Sequence, residues 1–423
     1  MDMPGEPMNT STPVRSGLFL GHRGFRLLFT ADAISQLGSQ VAVVALPLIA
    51  LTLLNASPLE IGLLTAAGTA AFAFVGLPAG AWVDRFRRRP VLVAADFSRF
   101  LLMGSVPIAA LFGVLTLPHL YVVALLAGVA TVFFDVASMS YVPSLVARQN
   151  LLSANARLEA VETGARAGGP ALGGWLVQLT NAVVGIAVDA VSFLLSAVAL
   201  ARIRHVEDQP VVVKTRLRRQ IAEGGRFVLR HPVLRLVGLA GFLGNFWESA
   251  LLAVQPVFLL EHLGLGAGAY GLVVAAAGVG GLLGSSAASW AGARLGTRRT
   301  MWLPLVVGYP FLLLAPLAGS GWLVFLYPLG TFLAFFGGAM QNVAQLSYRQ
   351  GICPPELLGR MNATMRFLIY GAMPLGGLAG GVLATVLGFP GSVWVIAAGL
   401  LLSILPMLAP AVRHLDESER AAA

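Results

Sequence analysis

Apolar residues in this chain come in long unbroken runs. Val41–Ser57 and Leu101–Leu117 contain no charged residue, and polar stretches are short. Apolar runs of about 20 residues cross a bilayer as helices, because backbone groups in lipid must find partners within their own segment. A transmembrane barrel would instead show short alternating strands, and none is visible. Twelve helices are expected. Six lie at 27–54, 59–82, 91–112, 119–141, 158–179 and 183–203. Six more lie at 233–260, 269–291, 301–319, 322–345, 363–386 and 391–412.

The order of elements repeats. Leu145–Leu176 aligns with Ile352–Leu383 at a constant offset, matching Asn155 to Asn362, Gly164 to Gly371, Gly169 to Gly376, and Gly173–Gly174 to Gly380–Gly381. Nearer the start of each half, Gly62 matches Gly271, Arg85 matches Arg294 and Arg89 matches Arg298. A fixed period of this kind indicates an internal duplication. The expected fold is therefore all-α and integral to the membrane, with two pseudo-symmetric six-helix bundles. Residues 1–26 form an N-terminal arm, 27–203 the first bundle, 204–232 a basic linker, 233–412 the second bundle and 413–423 a tail.

Charge fixes an orientation. Only 11% of the 423 residues are charged, against about 25% in soluble domains, and 57% are hydrophobic. The net charge of +9 could suggest nucleic acid, but the cations sit in short loops between apolar runs, as the positive-inside rule requires, so no nucleic-acid partner is expected. The loops around Asn55–Pro58, Gly113–Pro118, Thr180–Ala182, Glu261–Ala269, Gly319–Gly321 and Gly388–Gly391 hold no Lys or Arg. All 28 cations are assigned to the opposite face or to the nearest part of a helix. Both termini and the linker are then cytoplasmic, in a multi-pass protein of the cell membrane. The N-terminal stretch lacks the pattern of a cleaved signal peptide, and the single cysteine, Cys353, allows no internal disulfide.

Two motifs carry a resemblance. After the second helix, Gly80-Ala81-Trp82-Val83-Asp84-Arg85-Phe86-Arg87-Arg88-Arg89-Pro90 resembles the Gly-x-x-x-Asp-Arg-x-x-Arg-Arg loop of the major facilitator superfamily. Its charges, with Asp135 from the end of the fourth helix, would latch and release the cytoplasmic side. The matching loop of the second half has Ala293 in place of Asp84, so a symmetric latch is not expected. In the fifth helix, Gly164 to Gly174, with Gly169, Pro170 and Gly173, resembles the antiporter motif of drug:proton branches. Small residues let helices approach closely, and proline permits a bend. The stretch Glu223–Arg235, with Asp32–Gly38 and Asp135–Pro143, is similar to the macrolide-efflux branch that includes siderophore exporters. The resemblance implies a monomer that moves a small amphiphilic substrate against protons, in contact with membrane lipid.

Ionisable side chains at membrane depth are functional candidates by default. Asp32, with Gln36 one turn on, and Glu248, in mid-span, are candidates for proton coupling or substrate contact. Asp189 is a coupling site or a structural acceptor. Arg166 reads as the most deeply placed cation and could pair with Asp32, Asp135 or Glu162. Glu159 and Glu162 lie near the start of the fifth helix. Asn245, Phe246 and Trp247 could form a cavity wall, although packing or lipid contact is the simpler role for the aromatics. Gln341, Asn342 and Gln345 could line the cavity or bond between helices. No phosphate-binding loop, metal-binding pattern or catalytic constellation is present, so no cofactor, metal or enzymatic activity is expected. The function expected is proton-coupled export of drugs or amphiphilic metabolites. Its alternatives are a dedicated siderophore or lipid-like metabolite exporter, and a non-transporting receptor or scaffold.

Overall fold

The computed structural model describes residues 23–83, 85–146, 150–204, 207, 217–354 and 357–413. In the first half, α1 (Arg23–Leu48) runs into a wide π turn, Ile49–Leu53. Next come α2 (Pro58–Phe74), α3 (Gly76–Val83), α4 (Arg88–Leu111), α5 (Leu117–Leu145), α6 (Leu151–Leu179) and α7 (Ala182–Ala201). Helix α2 starts where the sequence supplies a capping box. The Glu60 carboxylate accepts from the Ser57 N–H at 2.7 Å, the Ser57 hydroxyl accepts from the Glu60 N–H, and Pro58 sits at the first helical position. Such a cap satisfies two otherwise orphaned donors.

The linker contains helix α8 (Leu217–Arg230), which a polar stretch had not led us to expect. The second half has α9 (Pro232–Val257), α10 (Ala267–Gly308), α11 (Leu326–Ile352), α12 (Leu358–Tyr370), α13 (Met373–Leu402) and the short α14 (Pro410–Arg413). Pro310 and Pro316 each remove a backbone donor, and Tyr309–Leu317 winds as a 3-10 helix.

Among the described residues, eight helical segments are long and apolar enough to cross a membrane. Two of these are 51 residues long, Ala267–Leu317 and Leu358–Leu408. At about 1.5 Å per residue each is far too long for one crossing. Each turns back at a glycine with positive φ, Gly296 (φ 78) and Gly388 (φ 68), a conformation costly for residues with a Cβ. Both arms of the first then pack on one stretch of α11. Gly280 and Gly284 lie on the backbones of Phe332 and Phe336, and Gly337 lies on that of Pro304. Both arms of the second pack on α9, where Gly376 and Gly380 meet Phe246 and Ala250, and Gly399 meets Trp247. With Pro58–Val83 and α6, these folded-back pairs accommodate the twelve crossings expected.

The repeat is carried in space. Gly174 in α6 packs on Gly271 in α10, and a Cβ there would fall 2.9 Å from the Gly271 Cα. Gly381 in α13 packs on Gly62 in α2, where a Cβ would fall 3.1 Å from the Gly62 Cα. Gly381 is the repeat partner of Gly174, and Gly62 that of Gly271. The halves therefore meet through two seams exchanged by one pseudo-two-fold operation. Within each half, the matching pair Gly173 and Gly380 do similar work, against Val41 of α1 and Ala250 of α9.

Candidate transport site

The apolar core is continuous between the halves at one end only. At the end whose loops lack cations, Val44, Ile49 and Ile61 of the first half share one cluster with Val254, Phe258 and Tyr270 of the second. At the basic end the core separates. One cluster, around Phe25, Tyr141 and Leu200, belongs to the first half. Another, around Leu234, Met301 and Met361, belongs to the second. The α6–α10 seam shows the same asymmetry. Gly174 meets Ala267 and Gly271, and Gly278 meets the Arg166 carbonyl, while Gly164 and Gly281 face open space. A cleft thus lies between the halves, closed at the cation-free end and open toward the basic end. On the α2–α12 flank, Phe72 and Tyr370 approach with ring centroids 6.0 Å apart. There the Arg366 guanidinium lies 3.8 Å from the Met139 sulfur.

The antiporter-type segment builds the seam. Gly169 lies on the Gln40 side chain of α1, Gly173 on Val41, and the Pro170 carbonyl and Gly174 on Gly271. Helix α6 is therefore clamped between its own bundle and the other half. Proline removes the donor at that point without a break, since α6 is continuous from Leu151 to Leu179.

The candidate acids fall into three environments. Glu248 is exposed in the middle of α9 and within electrostatic reach of Arg166. Exposure at mid-helix together with a charged neighbour from the other half places it on the cleft. Arg166 is also open to the cleft, its side chain 66% exposed, and of the partners considered it takes Glu162, at 2.6 Å. Asp32 is buried in α1, with Gln36 positioned to bond its carboxylate and Glu162, Asp135 and Asp96 as its charged neighbours. Asp135 is half-buried on α5. Its charged neighbours are Arg99, Glu162, Arg366 and Arg166, which place it beside the cleft. Gln345 donates to Asn342 at 2.8 Å within α11, so that pair bonds along one helix rather than between two.

The third environment escaped sequence reasoning. Arg99 stands near the midpoint of α4, 5% exposed, at the inner limit of the helix part nearest the basic face. It, rather than Arg166, is the buried cation of this half. Its guanidinium pairs with Asp96 one turn earlier and lies 4.4 Å from the ring centroids of both Phe134 and Phe193. Asp96 also accepts from the Ser196 hydroxyl of α7. Asp189, buried on α7, completes the group, with Arg99 as its charged neighbour. An Asp-x-x-Arg pair inside an apolar helix was the available signal. Its position, within reach of the basic end, made it resemble an ordinary flank.

At the gate motif, Asp84 lies outside the described residues. Gly80 belongs to α3 and Arg85 to the turn that follows. Arg88 and Arg89 open α4, and their N–H groups donate to the two carboxylate oxygens of Glu207 in the linker, at 2.6 and 2.7 Å. The Arg89 side chain donates to the carbonyls of Leu200 and Ala201 at the end of α7. Orphan groups at two helix termini are thereby satisfied.

Comparison with known proteins agrees with this geometry. Residues 17–423 match the family model described as transmembrane secretion effector. The chain is 29% identical over 411 residues to the multidrug efflux pump Tap of Mycolicibacterium fortuitum, covering 92% of this chain and 96% of that one. It is 26% identical over 346 residues to the enterobactin exporter EntS of Shigella dysenteriae serotype 1, covering 81% and 80%. Among solved structures, a bacterial homologue of the iron transporter ferroportin in its inward-facing state superposes with a TM-score of 0.74 at 19% identity, over 91% of this chain and 98% of that one. The chain belongs to the transmembrane secretion effector family of the major facilitator superfamily, whose members are transporters and not enzymes.

Proposed function

We propose that this protein is a proton-coupled exporter of amphiphilic small molecules, drugs or metabolites, working as a monomer in the cell membrane with both termini in the cytoplasm. The observation that carries the reading is the cleft, sealed at the cation-free end by backbone-on-backbone seams and flanked by Glu162 and Glu248, with Asp32 buried within electrostatic reach of Glu162. With the basic end cytoplasmic, substrate enters from the cytoplasm or inner leaflet. The halves then rock so that the seams part and the basic end closes. Proton binding at Asp32, Glu248 or Asp189 favours return. The sealed seams and the acids near the cleft support such a cycle, which needs a gate and groups whose surroundings change with it. The likeness to Tap, a multidrug efflux pump, favours broad amphiphile export.

A dedicated siderophore or metabolite exporter is the second reading. Arg166 and Arg366, both exposed, could meet an anionic group, and EntS is an exporter of enterobactin.

The test is efflux of a panel of macrolides, dyes and siderophores from cells expressing the protein, with and without a protonophore. Protonophore-sensitive efflux that is lost in Asp32→Asn or Glu248→Gln at equal expression is expected. Efflux surviving both treatments would exclude proton coupling. Binding without flux would favour a receptor.

A further inference from the structure

Arg99 and Asp189 are each left with an unused polar atom. Both residues are more than nine-tenths buried, and neither the Arg99 Nε nor the Asp189 Oδ1 has a hydrogen-bond partner among the described residues. Buried polar groups are nearly always satisfied, and the exceptions call for an explanation. Here a spare donor on a cation and a spare acceptor on a carboxylate belong to the same cluster. They are not joined: the Arg99 guanidinium bonds Asp96 through one terminal nitrogen, and the Ser196 hydroxyl of α7 steadies that carboxylate. The Asp189 oxygen instead lies against α1, where a Cβ on Gly38 would fall 2.9 Å from it and 2.0 Å from the Ser192 hydroxyl.

From this geometry we infer that Arg99 is a partner-switching positioning residue, paired with Asp96 when the cleft is open to the basic end and with Asp189 when the cleft is open to the other end. The inference rests on the alternating-access reading above. A guanidinium has five donors but holds them in one rigid plane, so turning its free edge toward Asp189 on α7 changes its alignment on Asp96. The two arrangements form a bistable element rather than a continuous one. Its charged surroundings are Asp96 on α4 itself, Asp135 from α5 and Asp189 from α7, with Asp32 of α1 next to Asp96. Phe134 and Phe193 cover the guanidinium and exclude water from the exchange.

A contiguous chain of contacts links the switch to the gate. If Asp189 turns toward Arg99 it leaves the surface of Gly38, where Ser192 stays, and loosens the contact of α7 with α1. Along the same helix, Gln40 and Val41 hold Gly169 and Gly173 of α6, and the next residue of α6, Gly174, forms the seam with Gly271. Coupling needs such a two-state element biased from both sides, not proximity alone.

The experiment uses full-length protein in lipid nanodiscs, with Cys353→Ser as background and spin labels at Ala160→Cys on α6 and Ala293→Cys on α10, near the basic end. Pulsed electron-resonance distances are recorded where the parent protein populates both separations. Asp96→Asn should shift the population toward the closed basic end by at least about 10-fold, equal to about 1.4 kcal/mol. Asp189→Asn should shift it by a similar factor in the opposite direction. If Asp96→Asn does not fold, Ser196→Ala should give a smaller shift of the same sign. Shifts in the same direction, or lowered melting temperature with unchanged populations, would overturn the inference and leave the cluster a structural one. The distances require neither substrate nor proton gradient, so a failed efflux assay and a failed switch are separate results.

Discussion

The two halves share a scaffold but not a chemistry. Their seams are interchangeable, Gly174 on Gly271 and Gly381 on Gly62. Their ionisable residues are not. The first half buries Asp32, Asp96, Arg99 and Asp189, whereas the second presents Glu248 to the cleft and buries Arg349 in the last turn of α11, close to the basic end. The difference teaches that the duplication was kept in the seams and in the loop arginines, Arg85 with Arg294 and Arg89 with Arg298, and abandoned among the ionisable residues inside the helices. A gate needs matched surfaces on both sides. A coupling site needs one set of groups whose surroundings change.

The largest expected effect tests the matched part. Gly174→Leu or Gly381→Leu would press a side chain into facing backbone, which cannot yield as a flexible side chain can. Overpacking costs about 1–3 kcal/mol, about 5- to 150-fold against the closed seam. Transport rates in proteoliposomes should fall by a similar factor in both variants. A loss confined to one would break the symmetry of the seams. The unmatched part gives the next effect. Asp32→Asn should abolish stimulation of efflux by an imposed pH gradient, while Glu248→Gln should also change the apparent KM, since Glu248 faces the cleft. Equal effects on both parameters in both variants would remove the distinction between the halves.

A smaller contrast concerns the linker. Glu207 is buried and receives two backbone N–H groups of the first half. Glu223 pairs with Arg360 of the second half, with both side chains about one-third exposed. Charge-assisted hydrogen bonds contribute about 1.5–3 kcal/mol, and exposed ion pairs about 0–1 kcal/mol. Glu207→Gln should therefore lower the melting temperature by more than Glu223→Gln does. The reverse order would mean that α8, rather than the start of α4, anchors the linker.

Much of this architecture was readable from the chain. Long apolar runs admit few structures in a bilayer, and the offset between Gly174 and Gly381 marked them as equivalent positions, although their contacts appear only in the assembled halves. Helix ends were less legible. The π turn at Ile49–Leu53 carries no sharp local signal, Pro310 and Pro316 disturb Tyr309–Leu317 without specifying a 3-10 helix, and α8 lay hidden in polar sequence. The site was legible in part. Glu248 stood out because nothing near it in sequence could neutralise it. Asp96 and Arg99 did not, since each neutralises the other within one turn. Their remaining partners, Ser196 and Asp189, lie on a helix about a hundred residues away, and that pairing is a product of folding rather than of spacing.

The seams have a thermal consequence. Surfaces made of glycine backbone have no rotamers to freeze, so bringing them together and parting them leaves side-chain entropy unchanged. At the glycine seams themselves, no rotamer must be found before the contact can shut. The seams then add little to the entropy of switching, and the temperature dependence of turnover should differ from one cargo to the next with the water, lipid tails and cargo in the cleft.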